Sequence, residues 1–157
     1  MKAVSKYESR PIVILLVEDN PTDVLITKEG LLSAKVLNEM HVADDGVVAM
    51  EFLRREGKFA DAPRPDLILL DLNMPRKNGQ EVLAEIKSDD YLMDIPVVIL
   101  TTSQANDDIG KAYGHHANCF ISKPVEFGDF AKVVETIHTF WFSVVTLPAC
   151  ANGVEAK

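Results

Sequence analysis

Short, nearly continuous apolar runs separate amphipathic stretches along this chain of 157 residues. Three of the runs, Ile12–Val17, Leu67–Leu70 and Val97–Leu100, are typical of parallel strands that are covered by helices on both faces. Two further segments complete five predicted strands: Cys119–Ile121, whose sequence suggests a buried strand, and Asn38–Val42, which is polar enough for an edge strand. The alternation predicts an α/β domain with a doubly wound, five-stranded parallel sheet.

Five amphipathic segments supply the predicted helices. The first opens at Asn20-Pro21, where an N-cap residue precedes a proline at the first helical position. The others cover Gly46–Arg54, Gln80–Lys87, Asn106–Tyr113 and about Phe127–Phe142, the last being an extended C-terminal helix. We predict one folded domain over residues 11–142, between an N-terminal segment, 1–10, and a C-terminal tail, 143–157.

The charge of the chain narrows the expected partners. There are 16 Lys and Arg residues against 24 Asp and Glu, a formal net charge of −8, which disfavours nucleic acid and anionic membrane surfaces. No apolar run reaches the about 18 residues of a membrane helix, and the N-terminus lacks the apolar stretch of a signal peptide. We therefore expect a soluble, cytoplasmic protein in which Cys119 and Cys150 are reduced thiols.

Chemically active side chains follow four predicted strands at their carboxyl ends. They are Glu18 and Asp19, then Asp71, Thr101 and Lys123. In an open parallel sheet these ends meet at one edge, where ligands bind. Three adjacent carboxylates repel one another unless a cation lies among them, and a donor set made only of oxygens suits Mg²⁺, or Mn²⁺ in its place.

The same residue types can carry a phosphoryl transfer. A carboxylate beside the metal can attack phosphorus to form an aspartyl phosphate. The transferred group then needs positive charge, which Lys123 can supply, and a hydrogen-bond donor, which Thr101 can supply. For each residue taken singly, a charged turn or an acidic helix start is the structural alternative.

At these positions the chain resembles the receiver domains of two-component response regulators, which have a flavodoxin-like fold. The motifs are Val17-Glu18-Asp19-Asn20, Leu70-Asp71-Leu72-Asn73-Met74-Pro75 with Gly79 after it, Leu100-Thr101-Thr102-Ser103 and Ser122-Lys123-Pro124. The resemblance implies that Asp71 is the phosphoacceptor. It also implies that Asp19 binds magnesium directly, Glu18 through water and Asn73 through its main-chain carbonyl.

The resemblance implies further roles around the phosphoacceptor. Thr101 is expected to bond one phosphoryl oxygen and Lys123 to pair with another, while Thr101 and Phe120 are the expected switch residues. The Lys123–Pro124 peptide bond is expected to be cis. His116 stands where many receivers have glycine.

Segments outside the pocket are similar to the single-domain regulators of cyanobacterial phytochromes. They are Ala62–Leu70, Leu83–Lys87, His116–Cys119, Phe140–Phe142 and Val145–Pro148. This similarity implies a sensor histidine kinase, specifically a phytochrome, as the phosphoryl donor. The expected output is either binding to an unknown downstream protein or onward transfer of the phosphoryl group in a phosphorelay. It also implies a homodimer formed through the apolar residues Trp141, Phe142 and Val145, unless the last helix folds back over its own core.

Other functions fit parts of the pattern. A metal-dependent phosphatase that uses an aspartyl phosphate needs a second carboxylate two residues after the nucleophile, where this chain has Asn73. We therefore expect no enzyme activity on external substrates.

No Gly-x-Gly-x-x-Gly or P-loop pattern supports a nucleotide or flavin site. A receiver that serves only as an unphosphorylated docking module remains open. A zinc site at His115, His116 and Cys119 is disfavoured because adjacent helical residues point apart.

Overall fold

The computed structural model describes residues 10–33, 37–102 and 106–148. Its strands are β1 (Ile12–Val17), β2 (Asn38–Ala43), β3 (Leu67–Leu70), β4 (Val97–Thr101) and β5 (Cys119–Ser122). All neighbouring strands are parallel, and they lie in the order β2-β1-β3-β4-β5. The predicted fold class is therefore confirmed, and β2 is an edge strand as expected.

In the described residues, five α-helices connect and follow the strands. They are α1 (Pro21–Leu32), α2 (Gly46–Arg54), α3 (Gly79–Ser88), α4 (Asn106–Gly114) and α5 (Phe127–Thr139). The Asn20 side chain caps α1 by accepting hydrogen bonds from the amides of Thr22 and Asp23. A short 3₁₀ helix, Gly57–Phe59, lies in the long segment between α2 and β3, where the sequence pattern predicts neither a helix nor a strand.

Alternate side chains of each central strand enter two separate cores. Leu15 and Val17 of β1 pack with residues of α2 and α3, whereas Ile14 and Leu16 pack with residues of α1 and α5. Burial on both faces explains why β1 and β3 are apolar at every position and β4 at every position before Thr101. Each buried aliphatic side chain contributes about 1.5–3 kcal/mol, so both cores stabilise the sheet that carries the polar edge.

The C-terminal helix differs from its prediction. α5 ends at Thr139, and a π-helical turn, Phe140–Val144, follows and is closed by a 2.9 Å hydrogen bond from the Val145 amide to the Phe140 carbonyl. Trp141 and Leu147 are buried in the core shared with α1 and α5, and Phe142 and Val145 pack against it. The chain therefore folds back over its own core here, and packing continues past residue 142.

β5 is less buried than its sequence suggested because it forms the second edge of the sheet. Cys119 on this strand is a half-buried free thiol, and burial raises its pKa. Cys150 lies outside the described residues. Within the described part of the chain, no helix has the length and apolar character needed to span a membrane.

An ion pair links the turn before α2 to the loop after β3. Asp45 caps α2 through the Val48 amide at 2.9 Å and accepts a hydrogen bond from Arg76 Nε at 2.8 Å. Burial alone raises the pKa of Asp45, but these hydrogen bonds and the Arg76 charge outweigh it and hold the pKa below its usual value. The ion pair between Asp45 and Arg76 anchors the loop that follows β3 and Asp71.

Asp45→Asn should test this anchor, because asparagine keeps the helix cap but loses the charge. A depressed folded-state pKa contributes stability at neutral pH that disappears as the pH falls through that pKa. We expect the variant to lose about 0.5–1 kcal/mol of unfolding free energy near pH 7 and less near pH 3, measured by urea denaturation. Asp44→Asn, an exposed neighbour, is the control. An equal loss at both pH values would contradict the account.

His116 lies in the turn after α4 with a φ of 69°, in the left-handed region where a side chain is strained. Glycine removes this strain but has more freedom to lose on folding, so His116→Gly should raise the unfolding free energy by about 0.5–1 kcal/mol. His115→Gly is the matched control and should lower it, since His115 does not have a positive φ. Destabilisation by His116→Gly in chemical denaturation would contradict the prediction.

Candidate functional site

Three carboxylates meet at the carboxyl ends of β1 and β3. The two strands are paired with Val17 opposite Leu70, so Glu18 and Asp71, which follow these residues, emerge side by side. One oxygen of each of Glu18, Asp19 and Asp71 lies within 4.8 Å of the others. The predicted convergence of these three residues is therefore present in the structure.

The electrostatics of this cluster favour a cation. Glu18 and Asp71 are buried, at 3% and 6% exposure, while Asp19 is exposed. Burial raises the pKa of Glu18 to about 7, with a further contribution from the negative charge of Asp71 that Lys123 partly offsets. A divalent ion bound by these oxygens would relieve the cost of holding the charges together.

The donor set fits Mg²⁺ or Mn²⁺. Carboxylate oxygens line the cluster, and Asp19 opens onto a cavity of about 560 Å³. The cavity is lined by Asp19, Leu72, Asn73, Met74, Pro75, Asn78, Gln80 and Asp108. Within the described ranges, no metal-binding group includes His115, His116 or Cys119, so the structure gives no support to a zinc site there.

Lys123 brings a buried positive charge to the cluster. Its ammonium nitrogen lies 2.6 Å from Glu18 Oε1, 2.7 Å from Asp23 Oδ2 and 3.7 Å from Asp71 Oδ2. Burial alone lowers the pKa of Lys123, but the hydrogen bonds and negative charges of the three carboxylates outweigh it and raise the pKa. The ammonium group therefore stays charged at the edge of the sheet.

Asp23 is a residue that the sequence analysis did not select. It lies in the first turn of α1, which begins directly after the acidic pair Glu18 and Asp19. The first turn of a helix that leaves the functional edge of a sheet faces that edge, and this position could have directed attention to Asp23.

Thr101 and Asn73 also lie near Asp71. Thr101 is fully buried at the end of β4, and its hydroxyl oxygen is 3.5 Å from the side-chain nitrogen Nδ2 of Asn73. The backbone amide of Asn73 donates to Asp71 Oδ1 at 3.3 Å. Phe120, on the strand next to β4, is half-buried, and its amide donates to the Tyr113 hydroxyl at 3.2 Å.

The Lys123–Pro124 bond is trans, so the expected cis bond is wrong: no cis peptide occurs among the described residues. The trans isomer is the lower-energy form of an X–Pro bond by about 0.5–1 kcal/mol. With this backbone, the Lys123 amide donates to the Thr101 carbonyl at 2.7 Å, and its side chain still reaches Glu18.

Gly79 lets α3 begin directly against the Asp71 loop. A Cβ atom at this position would lie 2.3 Å from the Asp71 carbonyl oxygen and 2.6 Å from Leu72 Cα, both backbone atoms that cannot move independently. The Gly79 amide donates to the Leu72 carbonyl at 2.9 Å. This close contact fixes the backbone that carries Asp71.

Known proteins share this sequence and fold. Residues 14–135 match the model of the response regulator receiver domain. The chain is 46% identical over 146 residues to response regulator Rcp1 of Synechocystis sp., covering 93% of this chain and 99% of that protein. It is 39% identical over 132 residues to the probable methanogenesis regulatory protein FilR2 of Methanothrix harundinacea, covering 83% and 84%.

Solved structures extend the comparison. The Mn²⁺-bound form of Rcp1 has a TM-score of 0.86 at 47% identity, and the phosphorylated cyanobacterial phytochrome response regulator RcpA has 0.87 at 49%. Each match covers 88% of this chain and 99% of the other. With the family match over most of the chain, these likenesses confirm the resemblance in sequence: the chain belongs to the response regulator receiver family.

Proposed function

We propose that Asp71 accepts a phosphoryl group from a phosphorylated histidine of a sensor kinase. The observation that carries this proposal is the meeting of Asp71 with Glu18 and Asp19, with the Lys123 ammonium group 3.7 Å from Asp71. The phosphorus–nitrogen bond breaks as a phosphorus–oxygen bond to Asp71 forms, and the leaving imidazole keeps the electron pair and takes up a proton. Hydrolysis later returns the carboxylate and inorganic phosphate.

The residues around Asp71 divide the remaining tasks. Four residues would hold Mg²⁺: Asp19 and Asp71 directly, Glu18 through water, and Asn73 through its main-chain carbonyl. The bound ion would neutralise charge on the phosphoryl oxygens. Lys123 pairs with one phosphoryl oxygen, because its charge is buried in the same site. The buried Thr101 hydroxyl donates to another.

We propose that the movement of Thr101 and Lys123 toward the phosphoryl group is the signal. Movement of Thr101 toward the phosphoryl group would leave space beside Phe120, whose half-buried ring packs against the core formed with α2 and α3. α4, β5 and α5 then change between two arrangements, which alters the surface available to another protein.

The proposed donor is a phytochrome sensor kinase. This choice rests on the likeness to the cyanobacterial phytochrome response regulator RcpA, over 88% of this chain at 49% identity. Because such kinases phosphorylate their partners inside the cell, we place the protein in the cytoplasm. The downstream recipient is a protein, since a chain with a net charge of −8 is repelled by nucleic acid and anionic lipid.

Asp71→Asn should abolish phosphoryl transfer, since an amide cannot form the acyl phosphate. The measurement is transfer of ³²P from an autophosphorylated phytochrome kinase, with release of the label by hydroxylamine as the mark of an acyl phosphate. Asp107→Asn, which removes an exposed carboxylate on α4, is the control and should be labelled like the natural chain. Label retained by Asp71→Asn would assign the phosphoryl group to another residue.

We also propose that two copies associate through β5 and α5. An apolar groove of about 420 Å³ runs along this face. It is lined by Cys119, Ile121, Lys132, Val133, Thr136, Ile137, Phe140 and Trp141. Trp141 in its lining is buried, whereas Phe140 and Val144, at 48% and 67% exposure, are available to a second copy. The expected interface at Trp141, Phe142 and Val145 is therefore shifted toward these exposed residues.

Phe140→Asp combined with Val144→Asp should convert the dimer to a monomer. Each lost apolar contact is worth about 1.5 kcal/mol or more, roughly tenfold in the dissociation constant. Sedimentation equilibrium measures the mass, and Leu37→Asp is the control because Leu37 is equally exposed beside β2, the opposite edge of the sheet. A monomeric natural chain, or an unchanged dimer in the double variant, would contradict the proposed interface.

A further inference from the structure

The Lys123 ammonium group is engaged before any phosphoryl group is present. It donates to Glu18 at 2.6 Å and to Asp23 at 2.7 Å, whereas its 3.7 Å separation from Asp71 is too long for a hydrogen bond. An ammonium group has three donors, and two of them are held by residues other than the phosphoacceptor. The third donor makes no hydrogen bond within the described residues, but these two contacts restrain the ammonium group, and they oppose the movement that would bring it within hydrogen-bond distance of Asp71.

The two resting partners of Lys123 differ in how readily they can release it. The Glu18 side chain is 3% exposed, so losing the lysine would leave a buried carboxylate without its counter-charge. The Asp23 side chain is 18% exposed and can take up water in place of the ammonium group. Asp23 is thus the partner that can be exchanged at lower cost.

The position of Asp23 on α1 also favours an unpaired carboxylate. It is the third residue of the helix, where the unpaired amides and the helix dipole stabilise negative charge. Its own backbone is held, because its amide donates to the Asn20 side chain at 3.2 Å. The backbone of Asp23 therefore stays in place when the lysine leaves.

We propose that Asp23 is a positioning residue that holds Lys123 in a resting place and competes with the phosphoryl group on Asp71 for it. This inference rests on the proposed function, since it requires a phosphoryl group on Asp71. A phosphoryl group carries about −1.5 to −2 charges and outcompetes the single charge of Asp23. The strength of the Asp23 contact then sets how far phosphorylation displaces the resting state.

The test uses beryllofluoride, a phosphoryl mimic, bound to the full chain at saturating Mg²⁺ and followed by calorimetry. If Asp23 keeps Lys123 in a resting place, the apparent affinity is reduced by the fraction of chains in that state. Asp23→Asn should tighten beryllofluoride binding about fivefold, and Asp23→Ala at least as much, because an alanine cannot accept the lysine hydrogen bond. The two variants together guard against an effect peculiar to one side chain.

Asp108→Asn is the matched control. It removes one negative charge that lines the cavity beside Asp19, but Asp108 makes no ion pair with Lys123. The effect of this variant shows how much beryllofluoride affinity increases simply because the pocket carries less negative charge. An effect of Asp108→Asn equal to that of Asp23→Ala would overturn the proposal, as would unchanged or weaker binding by both Asp23 variants.

The same experiment separates failure of this inference from failure of the proposed function. If the natural chain with Mg²⁺ binds no beryllofluoride, the phosphoryl site itself is wrong and the role of Asp23 falls with it. If the natural chain binds and both Asp23 variants bind equally well, the phosphoryl site stands and only the competition by Asp23 is overturned. Tighter binding by both variants, beyond the control, supports the proposal.

Discussion

A buried ammonium group, that of Lys123, lies among three carboxylates and is the interaction on which the arrangement of the site depends. Glu18 and Asp71 are each less than a tenth exposed, and two such charges a few ångströms apart destabilise the fold unless positive charge accompanies them. Lys123 supplies one such charge permanently. The remaining negative charge, concentrated at Asp19 and Asp71, is what a divalent ion can neutralise.

The sheet fixes this arrangement because parallel strands deliver their carboxyl ends to one edge. The pairing of β1 with β3 sets Glu18 beside Asp71, and that of β4 with β5 sets Thr101 opposite Ser122, the residue before Lys123. Close packing then removes freedom from the loops. Gly79 allows α3 to pack directly against the backbone of Asp71, so the phosphoacceptor is held by main-chain contacts.

The sequence predicts this part of the structure well because each signal is local and physically strong. Runs that are buried on both faces, such as Ile12–Val17 and Val97–Leu100, must be apolar throughout, and a polar or charged residue directly after such a run marks the functional edge. The start of α1 follows from Asn20 and Pro21, whose cap geometry is encoded in two adjacent residues.

The departures from prediction depend on contacts between distant segments. A helical spacing of apolar residues does not distinguish an α-helix that continues from a π-turn that directs Trp141 inward, because packing on α1 and α5 decides it. The place of Asp23 in the first turn of α1 indicates which edge of the sheet it faces, but its contact with Lys123 joins residues 100 positions apart and cannot be read from a local pattern. The isomer of the Lys123–Pro124 bond is likewise decided by the surrounding structure, since the intrinsic preference is small.

The central claim is that the strand ends build one phosphoryl site on Asp71 beside a divalent ion. The most direct measurement is a crystal structure of the chain grown with Mg²⁺ and beryllofluoride. The account predicts beryllium bonded to a carboxylate oxygen of Asp71, with the cation held by Asp19 and Asp71. Beryllofluoride bonded to a different residue, or a cation that lies away from these two carboxylates, would contradict it.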